Sequence, residues 1–183
     1  MHGELVNRAR GWLRRNGCSI VLAEFCASTP EQPDAIGWRD GLSMLVECKV
    51  SRADFFADRH KPFRAEPDRG MGDWRFYLSP PGVVKPEDLP DGWGLLWAHP
   101  KKVERVHGGP AGNACYYRDR PFQANRDAEN RLLVSALRRL QIHHGVPEFD
   151  GLVHATYQSK KPPAQPADYS AWTTQTPEQG NGR

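Results

Sequence analysis

The chain has 183 residues, of which 38% are hydrophobic and 10% aromatic, and its formal net charge is +3. This size and composition predict one globular domain with a hydrophobic core. No apolar run approaches the ~20 residues of a transmembrane helix, and the amphipathic N-terminal segment lacks the apolar centre of a signal peptide. We therefore expect no membrane partner and a cytoplasmic location.

The cysteines and basic residues narrow the function classes further. The four cysteines are spaced irregularly and without a C-x-x-C pair, which argues against a zinc site and predicts buried thiols of a reducing compartment. They are Cys18, Cys26, Cys48 and Cys115. Basic residues cluster in 8–15, 52–64 and 131–139. Such clusters are typical of solvated faces and also of nucleic-acid-binding surfaces.

The first half of the chain predicts a helix, three strands and a second helix. Apolar residues at helical spacing indicate a helix over 2–16, and Gly17 follows as a stop signal. Segments rich in β-formers predict strands over 19–25, 34–39 and 42–49. Ser51 is then expected to cap a short helix that extends to about His60.

The second half predicts a loop over 61–73, further strands and a late helix. The strands are expected at 74–79 and 93–99 and within 102–107, and the helix near 125–142. The order of elements predicts an α/β fold with a mixed central sheet of about five strands, flanked by helices. The first three strands are expected to be antiparallel.

The composition changes near residue 158. The last segment is rich in Pro, Gln, Thr and Gly and has no apolar periodicity, which predicts a flexible tail over 158–183 after a folded domain over 1–157. Such a tail could bind a protein partner.

The stretch PDAIGWRDGLSMLVECK places charged residues in otherwise apolar strands. Asp40-Gly41 is a strong signal for a two-residue hairpin turn. With these two residues in the turn, Asp34 lies opposite Glu47, and Lys49 shares the face of Glu47. A register slip of one residue would move the two carboxylates to opposite faces.

Two facing carboxylates repel each other, so the predicted pair needs a compensating charge. A divalent cation such as Mg²⁺, commonly held by one or two carboxylates, would supply it. The backbone carbonyl of Cys48 is a candidate third ligand. The alternative is an ion-paired trio in which Lys49 neutralises both acids. Lys49 could also orient a water or stabilise charge on a phosphoryl group.

These residues resemble a known superfamily. "PD" at 33–34 followed by "ECK" at 47–49 looks like the PD-(D/E)xK nuclease motif. The block VECKVSRADFFADRHKPFR is similar to the MmcB-like group of predicted DNA-repair nucleases, and GMGDWRFYLSPPGVV and LPDGWGLLW also fit that pattern. The resemblance covers roughly residues 2–140.

The resemblance implies a restriction-endonuclease-like core and metal-dependent hydrolysis of nucleic-acid phosphodiesters. The substrate would be DNA, with RNA not excluded, and the cofactor Mg²⁺ or Mn²⁺. Asp34 and Glu47 would bind the metal and Lys49 would position the attacking water. Relatives often add an upstream acid, for which Glu24 is the better candidate and Glu4 the other.

Further residues are weighed between supporting and purely structural roles. The candidates for nucleic-acid binding are Arg52, Lys61 and Arg64. The candidates for a supporting role are Glu4, Ser51, Asp54, Asp58 and Arg75. Asp58 and Lys61 are also interpreted as a surface ion pair, and Ser51 and Asp54 as residues that cap the second helix.

A metal-dependent nuclease is the first functional hypothesis. A catalytically weak nucleic-acid-binding module of the same fold is the second, and a protein that binds partners through its tail is the third. The intact set of Asp34, Glu47 and Lys49 favours the enzyme. A homodimer, the substrate's structure, and a role in repair, phage biology or defence all stay open.

Overall fold

A computed structural model describes residues 1–144 except 59, 111, 113 and 114. The chain divides into two compact units, Met1–Leu133 and Val134–Arg183. The first unit contains the whole sheet, and the described part of the second is the end of a helix. The predicted tail and the predicted boundary at 157 lie outside the described residues. No helix among the described residues is long and apolar enough to span a bilayer.

A mixed six-stranded sheet forms the centre of the first unit. Its strands are β1 (Ile20–Ala23), β2 (Ala35–Arg39), β3 (Leu42–Cys48), β4 (Trp74–Ser79), β5 (Gly94–Ala98) and β6 (Val103–His107). They lie in chain order across the sheet. The first three are antiparallel, β3, β4 and β5 are parallel, and β6 pairs antiparallel with β5. The predicted α/β class is confirmed, with six strands in place of about five.

Five α-helices are described, and two short 3₁₀ turns lie at Pro67–Arg69 and Pro86–Asp88. The helices are α1 (His2–Arg15), α2 (Arg52–Asp58), α3 (Pro62–Ala65), α4 (Cys115–Arg118) and α5 (Arg126–His144). The prediction of a loop over 61–73 is wrong in part, because α3 and a 3₁₀ turn occupy most of it. Pro62 stands at the first position of α3, where its missing N–H costs nothing.

Each face of the sheet has its own apolar core, as the alternation of strand side chains requires. On one face α1 packs through Trp12 against Phe76 of β4, with ring centroids 5.0 Å apart. On the other face Phe55 of α2 packs against Tyr77, with ring centroids 4.9 Å apart. This second face is the one on which Glu47 and Lys49 lie.

The hairpin between β2 and β3 forms as predicted. Asp40 has φ 47° and Gly41 has φ 84°, which are the left-handed values that this two-residue turn needs. The pairing runs from Arg39 opposite Leu42 to Ala35 opposite Val46. Asp34 and Glu47 follow directly after the last of these pairs.

A glycine beside β3 is expected to be essential for packing. Gly72 has φ +87°, and a Cβ added there would lie 2.7 Å from Cβ of Leu45. Gly72→Ala should lower the free energy of unfolding by about 1–3 kcal/mol more than Gly82→Ala. Gly82 is a matched control because it has φ +79° and no atom within 4 Å of the added Cβ. Equal urea midpoints for the two variants would contradict this expectation.

The cysteines agree with the sequence expectation only in part. Cys18 and Cys48 are buried, and burial raises the pKa of Cys18 to about 11 against the opposing effect of Arg39. Cys26 is exposed, so the prediction of a buried thiol is wrong there, because Cys26 lies in the loop after β1.

Candidate active site

The candidate site lies where β3 ends, on the face covered by α2. Glu47 is the second-to-last residue of β3, and Lys49 is the first residue after the strand. Because side chains alternate along a strand, both point to the same face. They are only 2% and 4% exposed. Such burial is costly for charged groups unless they are paired.

Lys49 bridges two buried carboxylates. Its Nζ lies 3.0 Å from Oδ1 of Asp58 and 3.5 Å from Oε2 of Glu47. Lys61 lies between the same two acids, with its Nζ 2.8 Å from Asp58 and 3.2 Å from Glu47. The ion-paired alternative, in which Lys49 neutralises Asp34 and Glu47, is therefore right for Glu47 and wrong for Asp34, because the second partner of Lys49 is Asp58.

Arg64 of α3 completes the ion network. Its Nε donates to Oδ2 of Asp58 at 2.6 Å, and its Nη1 donates to Glu31 at 3.4 Å. Tyr77 of β4 donates its hydroxyl to the same Oδ2 of Asp58 at 2.7 Å. The network thus balances three acids with three bases: Glu31, Glu47 and Asp58 with Lys49, Lys61 and Arg64.

Burial and pairing shift the acids of the network in opposite directions. Burial raises the pKa of Glu47, and the charge of Asp34 adds to this rise, although Lys61, Arg64 and Lys49 oppose it. Burial alone would raise the pKa of Asp58 as well, but its bonds to Arg64, Lys61 and Lys49 hold that pKa well below its ordinary value. Asp58 is therefore the fixed negative charge of the network.

Asp34 lies beside this network, at the open edge of the site. Its Oδ2 accepts the backbone N–H of Cys48 at 2.7 Å, which ties the carboxylate to the end of β3. Its Oδ1 lies 3.5 Å from Nε2 of His2, and Glu24 reaches the same nitrogen at 3.7 Å. Glu24 has φ 49° and its N–H donates to the carbonyl of Asp34 at 2.9 Å. His2, Glu24 and Cys48 are therefore all neighbours of Asp34.

The residues are suited to a divalent cation on one specific ground. Oε1 of Glu47 is buried and accepts no hydrogen bond from any described residue; its nearest ionic partner is Nη2 of Arg64, 3.7 Å away. A buried carboxylate oxygen without a donor is costly and fits a metal ligand. Among the described residues, no group of three or more His, Cys, Asp or Glu side chains is placed to hold an ion. A site here would therefore depend on two carboxylates, backbone oxygen, water and substrate.

The residues at the start of α2 have mainly structural contacts. Ser51 Oγ accepts the N–H of Asp54 at 3.2 Å, which confirms the predicted N-cap. Asp54 in turn accepts the N–H of Val50 at 3.1 Å. Arg52 binds Asp88 through two hydrogen bonds of 2.8 Å each, so its guanidinium already has an anionic partner.

Two predicted supporting residues, Arg75 and Glu4, lie away from the ion network. A third, Asp58, is buried, whereas the sequence predicts it at the surface. Arg75 is on the site's face but donates to the carbonyls of Gly72, Pro67 and Gly70, which it holds in place. Glu4 lines a separate groove beside α1. The prediction that Asp58 and Lys61 form a surface pair is wrong, since the side chain of Asp58 is 0% exposed.

Sequence reasoning missed Tyr77, Glu31 and His2. Tyr77 could have been found by strand parity, because it is the residue opposite Glu47 on the neighbouring strand. Glu31 stands in a loop without any pattern, and only the folded chain brings it to Arg64. His2 precedes the apolar stripe of α1, and nothing local connects it with Asp34.

Comparisons with known proteins show a likeness of fold. No family model matches the chain, and no curated protein matches it. A solved structure, the SPO1766 protein of unknown function from Silicibacter pomeroyi, is similar with a TM-score of 0.53 and 24% sequence identity. The match covers 87% of this chain and 97% of that one. It supports the α/β fold with its mixed sheet and carries no information on activity.

Proposed function

We propose that the chain is a metal-dependent nuclease that hydrolyses phosphodiester bonds of DNA, with a restriction-endonuclease-like core of the MmcB-like type. One observation carries the proposal: Glu47, with a buried oxygen that accepts no hydrogen bond from the described residues, adjoins Asp34 at the end of the hairpin and shares its face with Lys49. Two acids can hold a divalent metal that activates a water, and a lysine beside them can stabilise negative charge on the phosphoryl group.

Asp34 and Glu47 would hold the Mg²⁺ or Mn²⁺, with the carbonyl of Cys48 as a further ligand. When bound, the cation would polarise a substrate phosphate and lower the pKa of a water. Glu24 and His2 border the exposed side of Asp34, so they would lie beside a cation held by Asp34. The side chain of Asp34 is 21% exposed, so a substrate can reach it.

Lys49 would act on the reacting phosphate or on the attacking water. Nζ of Lys49 lies 3.0 Å from Oδ1 of Asp58, and the hydroxyl of Tyr77 donates to Oδ2 of Asp58 at 2.7 Å. These two contacts fix the position of the lysine. A fixed cation needs no reorganisation when negative charge develops on a phosphoryl oxygen. Asp58 and Tyr77 are thus positioning residues for Lys49.

Lys61 and Arg64 would differ in their access to nucleic acid. The side chain of Lys61 is 37% exposed, so it can exchange a carboxylate for a phosphate. The side chain of Arg64 is 5% exposed and its bonds to Asp58 and Glu31 favour a structural role. Arg52 would contact phosphate only after it releases Asp88.

A catalytically weak nucleic-acid-binding module is the second candidate, and a specific observation favours it. Three cations already surround Glu47: Lys49, Lys61 and Arg64. In such a module these ion pairs would be permanent, and the fold would bind nucleic acid without cleaving it.

The experiment that separates the two functions is a cleavage assay. Single-stranded, double-stranded and branched DNA and RNA are incubated with the protein and Mg²⁺ or Mn²⁺. Glu47→Ala and the matched exposed control Glu104→Ala are run in parallel. We expect cleavage that EDTA stops and that Glu47→Ala loses. Equal cleavage by wild type and Glu47→Ala would indicate a contaminant and would overturn the proposal. Binding without cleavage would establish the module instead.

A further inference from the structure

A positively charged region lies on the opposite face of the sheet from Glu47. There α1 runs beside the turn that connects β5 and β6, and the two enclose a groove. We call this groove the α1–β6 trough. The residues that matter for its chemistry are Asn7, Gly11 and Arg15 of α1 and Lys101 of the turn. Val103, the first residue of β6, also lines a neighbouring groove that contains Arg105.

Hydrogen bonds from α1 to the 99–102 turn fix the two walls of the trough relative to each other. Nη2 of Arg8 donates to the carbonyl of His99 and, at 2.6 Å, to the carbonyl of Lys102. These bonds close the 99–102 turn onto the helix and fix Lys101 at its rim. The apolar stripe of α1, including Leu5 and Leu13, is buried in the core, so the polar residues form the open side.

Gly11 lines the floor of the trough, and its lack of a side chain leaves space above the helix there. Glycine inside a helix costs about 1 kcal/mol relative to alanine. A Cβ at Gly11 would lie 3.2 Å from Nη1 of Arg15, so the Arg15 side chain folds back over the glycine toward the trough. The missing side chain thus lets a guanidinium lie against the helix.

The charges of the trough are largely uncompensated. Within the described residues, Arg15 and Lys101 of the trough and Arg105 of the neighbouring groove have no carboxylate at ion-pair distance, whereas Lys102 pairs with Glu104 at 2.8 Å. Glu4 is the acid that lines the trough itself. Unpaired cations along a groove are available to a polyanion, whose bound counterions they release.

One helix, α1, connects the trough with the candidate active site. The 14-residue helix α1 is about 21 Å long, and Arg15 lies at its C-terminal end. At its N-terminal end His2 lies 3.5 Å from Asp34. The helix that forms one wall of the trough therefore also contacts the predicted metal ligand Asp34.

We infer that the α1–β6 trough is a docking surface for the phosphate backbone of nucleic acid, outside the catalytic site. The inference extends the proposed function and rests on it for one point, namely that the bound polyanion is the enzyme's substrate. Nucleic acid is favoured over an anionic membrane because membrane-surface binding needs exposed apolar side chains beside the charges. None of the exposed large apolar residues of the described chain, such as Met1 and Phe56, lines the trough.

The test compares two double variants of equal charge. Arg15→Gln with Lys101→Gln removes two charges from the trough. Arg69→Gln with Arg131→Gln removes two from exposed positions outside it. Binding of a fluorescein-labelled DNA duplex is measured by anisotropy over a range of NaCl concentrations, with EDTA present so that cleavage does not interfere. Thermal melts check that each variant is folded.

We expect the trough variant to bind at least tenfold more weakly, with the slope of log K against log [salt] reduced by about 1.8, the value for two lost phosphate contacts. The control should keep the wild-type slope. A second variant, Gly11→Leu, fills the floor without changing charge and should also weaken binding.

Three results would overturn the inference: no DNA binding by the wild type, equal losses in trough and control variants, or no loss in the trough variant. Vesicles containing phosphatidylserine form a separate arm. Loss of vesicle binding with DNA binding unchanged would assign the trough to a membrane and overturn the inference too. Because binding is measured without cleavage, failure of the inference can be distinguished from failure of the nuclease proposal.

Discussion

Lys49→Met is expected to reduce the rate of DNA cleavage by about 10²- to 10³-fold, which is the usual cost of removing one fixed charge-stabilising group. Methionine keeps most of the length of the side chain and removes its charge. Lys61 and Arg64 still contact Asp58, at 2.8 and 2.6 Å, so the remaining ion pairs hold the network together. The loss should therefore appear in the chemical step.

The measurement is single-turnover cleavage of a labelled oligonucleotide at saturating protein with Mn²⁺. Lys85→Met is the control, because its side chain is exposed. The binding affinity of Lys49→Met for the same oligonucleotide in EDTA should stay within a few-fold of wild type. If Lys49→Met cleaved at the wild-type rate, Lys49 would have no catalytic role.

Asp58→Asn is expected to give the largest loss of stability, about 3–5 kcal/mol in the free energy of unfolding, as for a buried ion pair that loses one partner. The carboxylate of Asp58 is 0% exposed and is the common anion of Lys49, Lys61 and Arg64. Its replacement leaves three cations to share Glu47 and Glu31. Tyr77 also loses the charged acceptor of its hydroxyl.

The matched control is Asp88→Asn. Asp88 accepts two bonds from Arg52, but this pair is at the surface, with the Arg52 side chain 45% exposed. Exposed pairs contribute little to stability, so urea denaturation should show a much smaller loss. Equal losses for Asp58→Asn and Asp88→Asn would mean that the buried network does not stabilise the fold.

The loss caused by Asp58→Asn should depend on pH. The folded pKa of Asp58 is held below its ordinary value, so its contribution is fully present above the unfolded pKa of about 3.9. That contribution is lost as the pH falls toward the lower folded pKa. The difference in unfolding free energy between wild type and Asp58→Asn should therefore shrink below about pH 4. A difference that stays constant between pH 7 and pH 3 would contradict the ion-pair account.

The hairpin could be predicted because its determinants are local. Asp40 and Gly41 adopt the left-handed backbone that their residue types favour, and the turn fixes the register of every pair up to Ala35 and Val46. The position of Asp34 beside Glu47 follows from that register without any knowledge of the rest of the chain. The cap at Ser51 is local for the same reason.

The ion network could not be predicted, because tertiary packing assembles it. Arg64 and Lys61 come from a segment that was expected to be a loop, and Glu31 comes from a second loop. Asp58 was interpreted as a surface residue since a charged position late in a helix is usually solvated. Only the packing of α2 against β4 buries it beneath Tyr77.

Calorimetric titration of the protein with Mn²⁺ tests most directly whether Asp34 and Glu47 together hold a divalent cation. We expect the wild type to have a saturable Mn²⁺ site, and a non-cleavable DNA should leave its affinity unchanged or increase it. Asp34→Asn should weaken Mn²⁺ binding at least tenfold, and Glu104→Gln should leave it unchanged. A wild type that binds no Mn²⁺ even with DNA present, or an Asp34→Asn variant that binds as tightly as the wild type, would contradict this expectation.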